Sequence, residues 1–371
     1  MRLRGSDARK NIDMNVLENI IRMQIEQAGP MSMAEFMALA LGHPEHGYYM
    51  SRDPFGQGGD FTTAPEISQM FGEMIGVWLA DTYMRCGAPK QFVLLECGPG
   101  RGTLMSDIMR VTKTVPGFQD AMQLHLLETS PTLKKVQGEA LSNYQPQWHD
   151  MIDSVPTDAP IFIIGNEFFD ALPVQHLYWR DGQWFERKVG LDGETFMFVG
   201  TDAQPDHVNL IPDHLGAPSN DDIFEFSALS RSLISAISQR IKAQGVAMLF
   251  IDYGHEKARY GETLQAVKAH QYAPILDNVG ECDLTAHVDF GALGDIARSQ
   301  GLHVSRIVDQ GSFLKALGIE MRAQNLMKNA NEVQQNDIQG ALARLTDPKQ
   351  MGALFKVMAA TSYDIELAVL V

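Results

Sequence analysis

Residues 94–104, LLECGPGRGTL, place an apolar run and a carboxylate, Glu96, ahead of three glycines at alternate positions, Gly98, Gly100 and Gly102. A strand ending in such a loop lets the backbone approach a ligand closely, because no Cβ intervenes and unusual φ values are open to glycine. A helix starting near Thr103 would aim free N–H groups and its positive end at the same ligand. Three ligand classes use related geometry. A nicotinamide fingerprint asks for GxGxxG, and Thr103 stands where its last glycine belongs. A phosphate loop asks for GxxxxGK[ST], and no lysine follows Gly102 within reach. GxGxG after a strand, with Glu96 before it, suits S-adenosylmethionine, whose sulfonium amino acid and ribose need no pyrophosphate cradle. A merely structural tight turn is the plain alternative.

Further polar residues fall at the ends of later apolar runs. Glu128 closes QLHLLE, about one βα unit after Gly98, where a carboxylate accepts both ribose hydroxyls in a doubly wound fold. Its alternative is a helix-dipole contact near Ser130. Asp150 in WHDMI is placed to reach an adenine amino group, with Met151 against the ring. NEFFDALP (166–173) carries Asn166, Glu167 and Asp170 toward the crevice outside the strand ends, where open α/β sheets bind ligands. A carboxylate there pairs with a guanidinium and holds its nitrogen toward a methyl donor. For Asp170 the alternative is helix capping. IDYGH (251–255) adds Asp252 and Tyr253, whose alternative is a turn residue and a packed aromatic. His255 reads as a solvated loop histidine.

These residues need elements to hold them. IDMNVLENIIRMQIEQAG puts Met14, Leu17, Ile20, Ile21 and Ile25 on one helical face, stopped by Gly29-Pro30. SMAEFMALAL follows with Ser32 and Glu35 as a capping box. Residues 43–68 are too long for a mere turn and carry four aromatics, so they read as a functional loop. A helix through QMFGEMIGVWLADTYMRCG comes next. From FVLLEC (92–97) onward, short apolar runs alternate with helical ones: QLHLLE, QWHD, PIFIIGNEFF and VAMLFIDYG. That alternation predicts an α/β fold with a mainly parallel sheet. HLYWRDGQWFERKVGLDGETFMFV, with Asp-Gly at 181–182 and 192–193, reads as inserted antiparallel hairpins.

The expected division is an N-terminal helical and lid segment (1–90), a core (91–174 and 236–311), an inserted cap (175–235) and a helical C-terminal segment (312–371).

The totals constrain partners more than chemistry. The 371 residues exceed one usual compact core. No apolar run approaches the roughly 20 residues that cross a bilayer, so membrane insertion is not expected. A net charge of −16 disfavours nucleic acid and suits a cationic partner, or simply solubility. Cys86, Cys97 and Cys282 have no CxxC spacing, so neither a disulfide framework nor a metal site is read from them, and a reducing compartment fits. The basic opening MRLRGSDARK lacks the apolar stretch of a secretion signal. Exposed apolar surface of the cap and C-terminal helices serves a homodimer or a partner equally.

GDFTTAPEISQMFGE (59–73), LLECGPGRGTLMSDI (94–108), NEFFDALPV (166–174), IDYGH (251–255) and CDLTAHVDF (282–290) together resemble the MidA-like family, over roughly residues 15–320. The resemblance implies a class I, Rossmann-like S-adenosylmethionine methyltransferase fold with an N-terminal helical extension and an inserted cap. It also implies methylation of an arginine on a protein partner and, for the mitochondrial member, assistance in assembling respiratory complex I. By that likeness Gly98, Gly100 and Gly102 hold the methionine moiety and Glu128 the ribose. Asn166 and Glu167 face the acceptor, Asp170 or Asp252 adds a second acidic contact, and Thr62, Thr63 and Glu66 belong to a lid. One departure is Cys97, where leucine is expected, a tolerable apolar exchange. The short opening favours a bacterial cytoplasmic homologue, with the mitochondrial matrix as the other location. Two rival readings stand beside this one: a non-catalytic methyltransferase-fold assembly or binding protein, and a nicotinamide oxidoreductase, which Thr103 disfavours.

Overall fold

The computed structural model describes residues 15–51, 63–268 and 270–368. Local signals start and stop its N-terminal helices. In α1 (Val16–Ala28) the Asn15 side chain accepts the Glu18 amide, and Gly29 ends the helix at φ 86°. In α2 (Met33–Gly42) Ser32 and Glu35 form the expected reciprocal capping box. Ser68 caps α3 (Gln69–Arg85).

Five strands make the parallel part of the central sheet: β1 (Phe92–Cys97), β2 (Met122–Leu127), β3 (Gln147–His149), β4 (Ile161–Asn166) and β5 (Val246–His255). Their order is β5–β4–β1–β2–β3. Every residue of β1 and β4 is buried, as a sheet covered on both faces requires. Alternate residues face opposite layers. Leu94, Phe162 and Leu249 pack under α3 and α4 (Thr103–Thr112), against Trp78, Leu104 and Ile108. A fifth helix, α5 (Pro131–Ala140), runs from the Ser130 cap between β2 and β3. On the other face Val93, Ile163 and Phe250 meet α6 (Ala228–Gln244) and α7 (Phe290–Ser299) through Ile234, Ile237, Phe290 and Leu293.

The C-terminal segment is not helical throughout. Helices cover Gln310–Ala316, Ile319–Met327 and Glu332–Thr346, but Phe355–Thr361 forms β6, antiparallel to β5 from Ala247↔Thr361 to Tyr253↔Phe355. The run FKVMAAT is too short for its periodicity to separate a strand from a buried helix. The open flank of β5 decides it, since a buried strand edge must have its N–H and C=O groups paired.

The insertion is antiparallel, with Gln175–Arg180, Gln183–Asp192, Thr195–Asp202 and Ile223–Phe226 in one sheet. Its first turn uses Asp181 and Gly182, both at positive φ, which matches the right-handed strand twist. The second turn falls one residue later than the Asp-Gly pair suggests: Asp192 pairs with Thr195, leaving Gly193 (φ 60°) and Glu194 as the loop. Met31–Ser32 pairs with Lys188–Val189, tying the N-terminal helices to the insertion. Residues 264–286 depart from the expected division. Leu264, Ala266, Cys282 and Leu284 join the N-terminal core of Leu17, Ile21, Phe36 and Val189 instead of the layers of the central sheet.

Candidate active site

Strand order reverses between β1 and β4, and the crevice opens there at the carboxyl ends of the strands. Gly98 follows β1, Glu128 follows β2, Asp150 follows β3, Asn166 and Glu167 leave β4, and Asp252 and Tyr253 lie toward the end of β5. Register brings them level, with Cys97 opposite Leu127 and Gly165, and Asn166 opposite Ile251. A cavity of about 690 Å³ joins Gly98, Gly100, Glu128, Asp150, Met151, Thr63, Glu167, Asp170 and Tyr253. A recess of about 40 Å³ beside it holds Glu96, Glu66 and Asn166. The main volume lies in the range of small-molecule and cofactor sites.

Gly98, Gly100 and Gly102 all adopt left-handed backbone, at φ 65°, 53° and 81°. A Cβ on Gly98 would also sit 2.8 Å from the Phe168 ring. The loop is therefore glycine for conformation and for clearance. Gly102 opens α4 without a side-chain cap, so the first amides of that helix have no capping side chain. Gln137, fully buried on α5, braces the loop: its Nε2 donates to the Gly100 carbonyl at 2.7 Å and to Glu128 Oε2 at 3.1 Å. Trp148 Nε1 donates to its Oε1.

Glu96 is 2% exposed, and its Oε2 has no hydrogen-bond partner among the described residues. Burial pushes its carboxyl up to about 8. An orphaned buried carboxyl beside a glycine cradle fits the ammonium end of an amino-acid-bearing cofactor. Glu128 accepts the Ser130 amide at 2.8 Å as well as Gln137, so it combines the start of α5 with a place on the cavity wall. Burial raises its pKa. Asp150 lies at the outer mouth and is paired with Lys134 at 2.6 Å, and Met151 beside it is 67% exposed.

The Asn166–Asp170 turn is held from beneath. Asp252 Oδ2 accepts the amides of Phe168, Phe169 and Asp170 at 3.0, 2.9 and 3.2 Å, and Oδ1 accepts the Tyr253 amide. Burial first, then Asp170 and Glu167, raise the Asp252 pKa well above the usual range. Asp252 thus positions the turn from below, where a direct acceptor contact was expected. Glu167 occupies left-handed backbone at φ 48°, strain that persists only where surroundings over-determine it. Its Oε1 accepts the Ala64 amide at 2.9 Å and Asn166 Nδ2 at 3.1 Å, and burial pushes it up to about 7.

Ala64 begins the short helix Ala64–Ile67, for which Thr63 supplies no side-chain cap, so Glu167 caps it from across the site. Thr103 Oγ1 donates to Glu66 Oε1 at 2.5 Å, fastening the same helix to the start of α4. The lid expectation thus has Thr63 on the cavity wall and Glu66 on the loop helix. Thr62 lies outside the described residues.

Sequence reasoning missed Gln137, Tyr49, Asp283 and Thr285, which line or brace this cavity. Asp283 and Thr285 fall in the CDLTAHVDF block, which was the available signal. A larger cleft of about 800 Å³ between the insertion and α7 shares only Phe169 with the turn and holds none of the strand-end carboxylates. Size alone would have pointed there; the converging polar groups point to the crevice.

The family model described as "Putative S-adenosyl-L-methionine-dependent methyltransferase" matches residues 74–308. The chain is 36% identical to the mitochondrial protein arginine methyltransferase NDUFAF7 homolog of Drosophila melanogaster, over 91% of this chain and 83% of that one. It is 32% identical to the mitochondrial protein arginine methyltransferase NDUFAF7 of Homo sapiens, over 96% and 85%. A Burkholderia thailandensis protein crystallised with S-adenosyl-homocysteine shares the fold, with TM-score 0.81 and 24% identity over 95% of this chain and 94% of that one.

Proposed function

The chain belongs to the S-adenosyl-L-methionine-dependent methyltransferase family, and we propose that its acceptor is an arginine on a protein partner. The observation that carries this reading is a pair of carboxyls, the half-buried Glu167 and the buried Asp170, set on one turn beside the glycine loop and lining the same cavity. S-Adenosylmethionine supplies a methyl group already activated on a sulfonium sulfur. The chain then has to hold, orient and dry the reactants. Glu96 and the left-handed glycine loop would hold the amino-acid end, and Glu128, kept in place by Gln137, the ribose.

Glu167 would pair with the guanidinium and keep one nitrogen directed at the methyl donor. Each transfer releases one guanidinium proton. A carboxyl pushed up to about 7 is suited to accept it near neutral pH. A respiratory complex I subunit is the partner that the family likeness suggests. The cytoplasm or the mitochondrial matrix accords with three free cysteines. No described helix is long and apolar enough to cross a membrane.

A second reading is a cofactor-stabilised docking protein without turnover. It draws on the engagement of Glu167 Oε1 by Ala64 and Asn166. Both readings meet in one experiment: Glu167→Gln with S-adenosyl-homocysteine titration, and mass spectrometry of arginine methylation in cells with and without the gene. Retained cofactor binding with lost methylation supports catalysis by Glu167. Methyl marks that persist without the gene support the docking reading.

A further inference from the structure

One strand of the insertion has an open outer flank. Among the described residues, Thr195–Asp202 pairs with Gln183–Asp192 alone, in an unbroken register from Phe185↔Asp202 to Asp192↔Thr195. The Ala203 amide donates to the Trp184 carbonyl, which fixes the alternation of the ladder. Thr195, Met197, Val199 and Thr201 bond inward, while Phe196, Phe198, Gly200 and Asp202 turn their N–H and C=O groups outward. Those outward groups have no partner among the described residues. Met197 and Phe198 are 41% and 38% exposed and, being adjacent, lie on opposite faces of the sheet.

Such an edge is a template for another strand, and proteins ordinarily blunt it with lysine, proline, a bulge or a covering segment. TFMFVGTD has no lysine and no proline, its register has no bulge, and its 8 residues exceed the usual strand length. Its sole charge, Asp202, stands at one end. Antiparallel pairing of this strand with an identical one must match outward residues with outward residues. A two-fold axis that keeps most of the strand paired therefore passes through Phe198 or Val199. An axis at Phe198 brings Glu194 opposite Asp202, two carboxylates, which is unfavourable. An axis at Val199 sets Phe198 against Gly200, Met197 against Thr201 and Phe196 against Asp202, so no like charges meet. The Phe198 ring then lies opposite a residue with no side chain to obstruct it.

We propose that the Thr195–Asp202 edge pairs with the same edge of a second copy of the chain, about a two-fold axis at Val199, and joins the two insertion sheets into one. A foreign strand would find a single carboxylate on this ladder to recognise, whereas an identical strand brings the matching register with it. The interface also reaches toward the candidate active site. On the neighbouring strand, Lys188 and Val189 pair with Met31–Ser32, and α2, which follows, places Ala38 and Leu41 on the cavity wall. Dimerisation would thus brace, one strand away, a helix that helps to wall the cavity in each copy. The inference does not depend on which acceptor the site methylates.

The test is sedimentation equilibrium of the full chain, joined to cysteine cross-linking. A small paired edge predicts a wild-type dissociation constant on the order of 1–100 µM. Phe198→Pro removes an outward N–H and the ring while sparing the bonds to Gln183–Asp192. It should weaken association at least about tenfold, with circular dichroism checking that the fold is kept. Val199→Cys sets two sulfurs across the axis in a non-hydrogen-bonded pair, with Cα atoms about 4.5 Å apart and within disulfide reach. Oxidation in air with copper–phenanthroline should give a covalent dimer from Val199→Cys, and none from Met197→Cys or from the wild type with its own three cysteines. A wild type that stays monomeric at about 100 µM would overturn the interface. So would a dimer that folded Phe198→Pro leaves intact. Cross-linking through Met197→Cys as readily as through Val199→Cys would overturn the register.

Discussion

Asp252 gives the sharpest prediction, because one side chain carries a whole turn. Its Oδ2 accepts three consecutive amides, Phe168, Phe169 and Asp170, and its Oδ1 accepts that of Tyr253. Asp252→Ala leaves four N–H groups without their acceptor, in a region where Asp252 itself is 1% exposed. Each orphaned buried donor costs about 1–3 kcal/mol. Two effects reduce the sum. The cavity mouth lets water reach part of the turn, and removing the carboxyl relieves its own desolvation, the first cause of its raised pKa.

We therefore expect a loss of about 3–5 kcal/mol for Asp252→Ala. Asp252→Asn can keep its carbonyl oxygen toward the three amides while its NH₂ confronts the Tyr253 amide, so about 1–2 kcal/mol is expected. Urea unfolding followed by circular dichroism reads both, as a shift in midpoint at constant slope. Methyl transfer should fall in both variants, since the turn carries Glu167 and Asp170. An alanine variant within about 1 kcal/mol of wild type would refute the view that Asp252 holds the turn.

Other expectations follow from the same geometry. Gly98→Ala forces an L residue into φ 65° and drives its Cβ against Phe168, so a stability loss of about 1–2 kcal/mol and at least a roughly tenfold weaker S-adenosyl-homocysteine affinity are expected by calorimetry. Glu73, 4% exposed, receives Arg110 from α4 and Arg322 from the C-terminal segment. Because both arginines are substantially exposed, Glu73→Ala should cost about 1–3 kcal/mol and speed proteolytic cleavage beyond residue 318.

Stability should also depend on pH in a defined window. Glu96 and Glu167 have folded pKa values raised to about 8 and about 7, so the folded chain keeps protons that the unfolded chain has released. Their contribution falls as pH rises from the ordinary carboxylate range to about 8. His125, lowered to about 4, acts in the opposite direction, but its contribution is complete by the ordinary histidine range near 6.5. The melting temperature should therefore drop between about pH 6.5 and 8, and Glu96→Gln should flatten that slope. A melting temperature that climbs across this interval would count against protonated buried carboxyls.

Much of the scaffold was legible because its causes are local. Ser32 with Glu35, Ser130 with Pro131, and Gly29 mark helix ends within three or four residues, and each lies where its capping chemistry puts it. The glycine loop announced itself because left-handed backbone at residues 98, 100 and 102 is a property of single positions. The apolar runs of β1, β4 and β5 predicted a parallel sheet, and the strand-end polar residues followed from the rule that ligands bind at carboxyl ends.

What stayed hidden depends on long-range packing. FKVMAAT became a strand only because β5 had an unpaired edge some 110 residues earlier in the chain. Gln137 sits in an ordinary helix, and only the packing of α5 beneath the loop turns it into a brace for Gly100 and Glu128. The capping of Ala64 by Glu167 needs two segments separated by 103 residues, and the Tyr49–Asp283 pair needs 234. Local chemistry is written in neighbouring residues, whereas which polar group meets which across a cavity is decided by how the layers close over it.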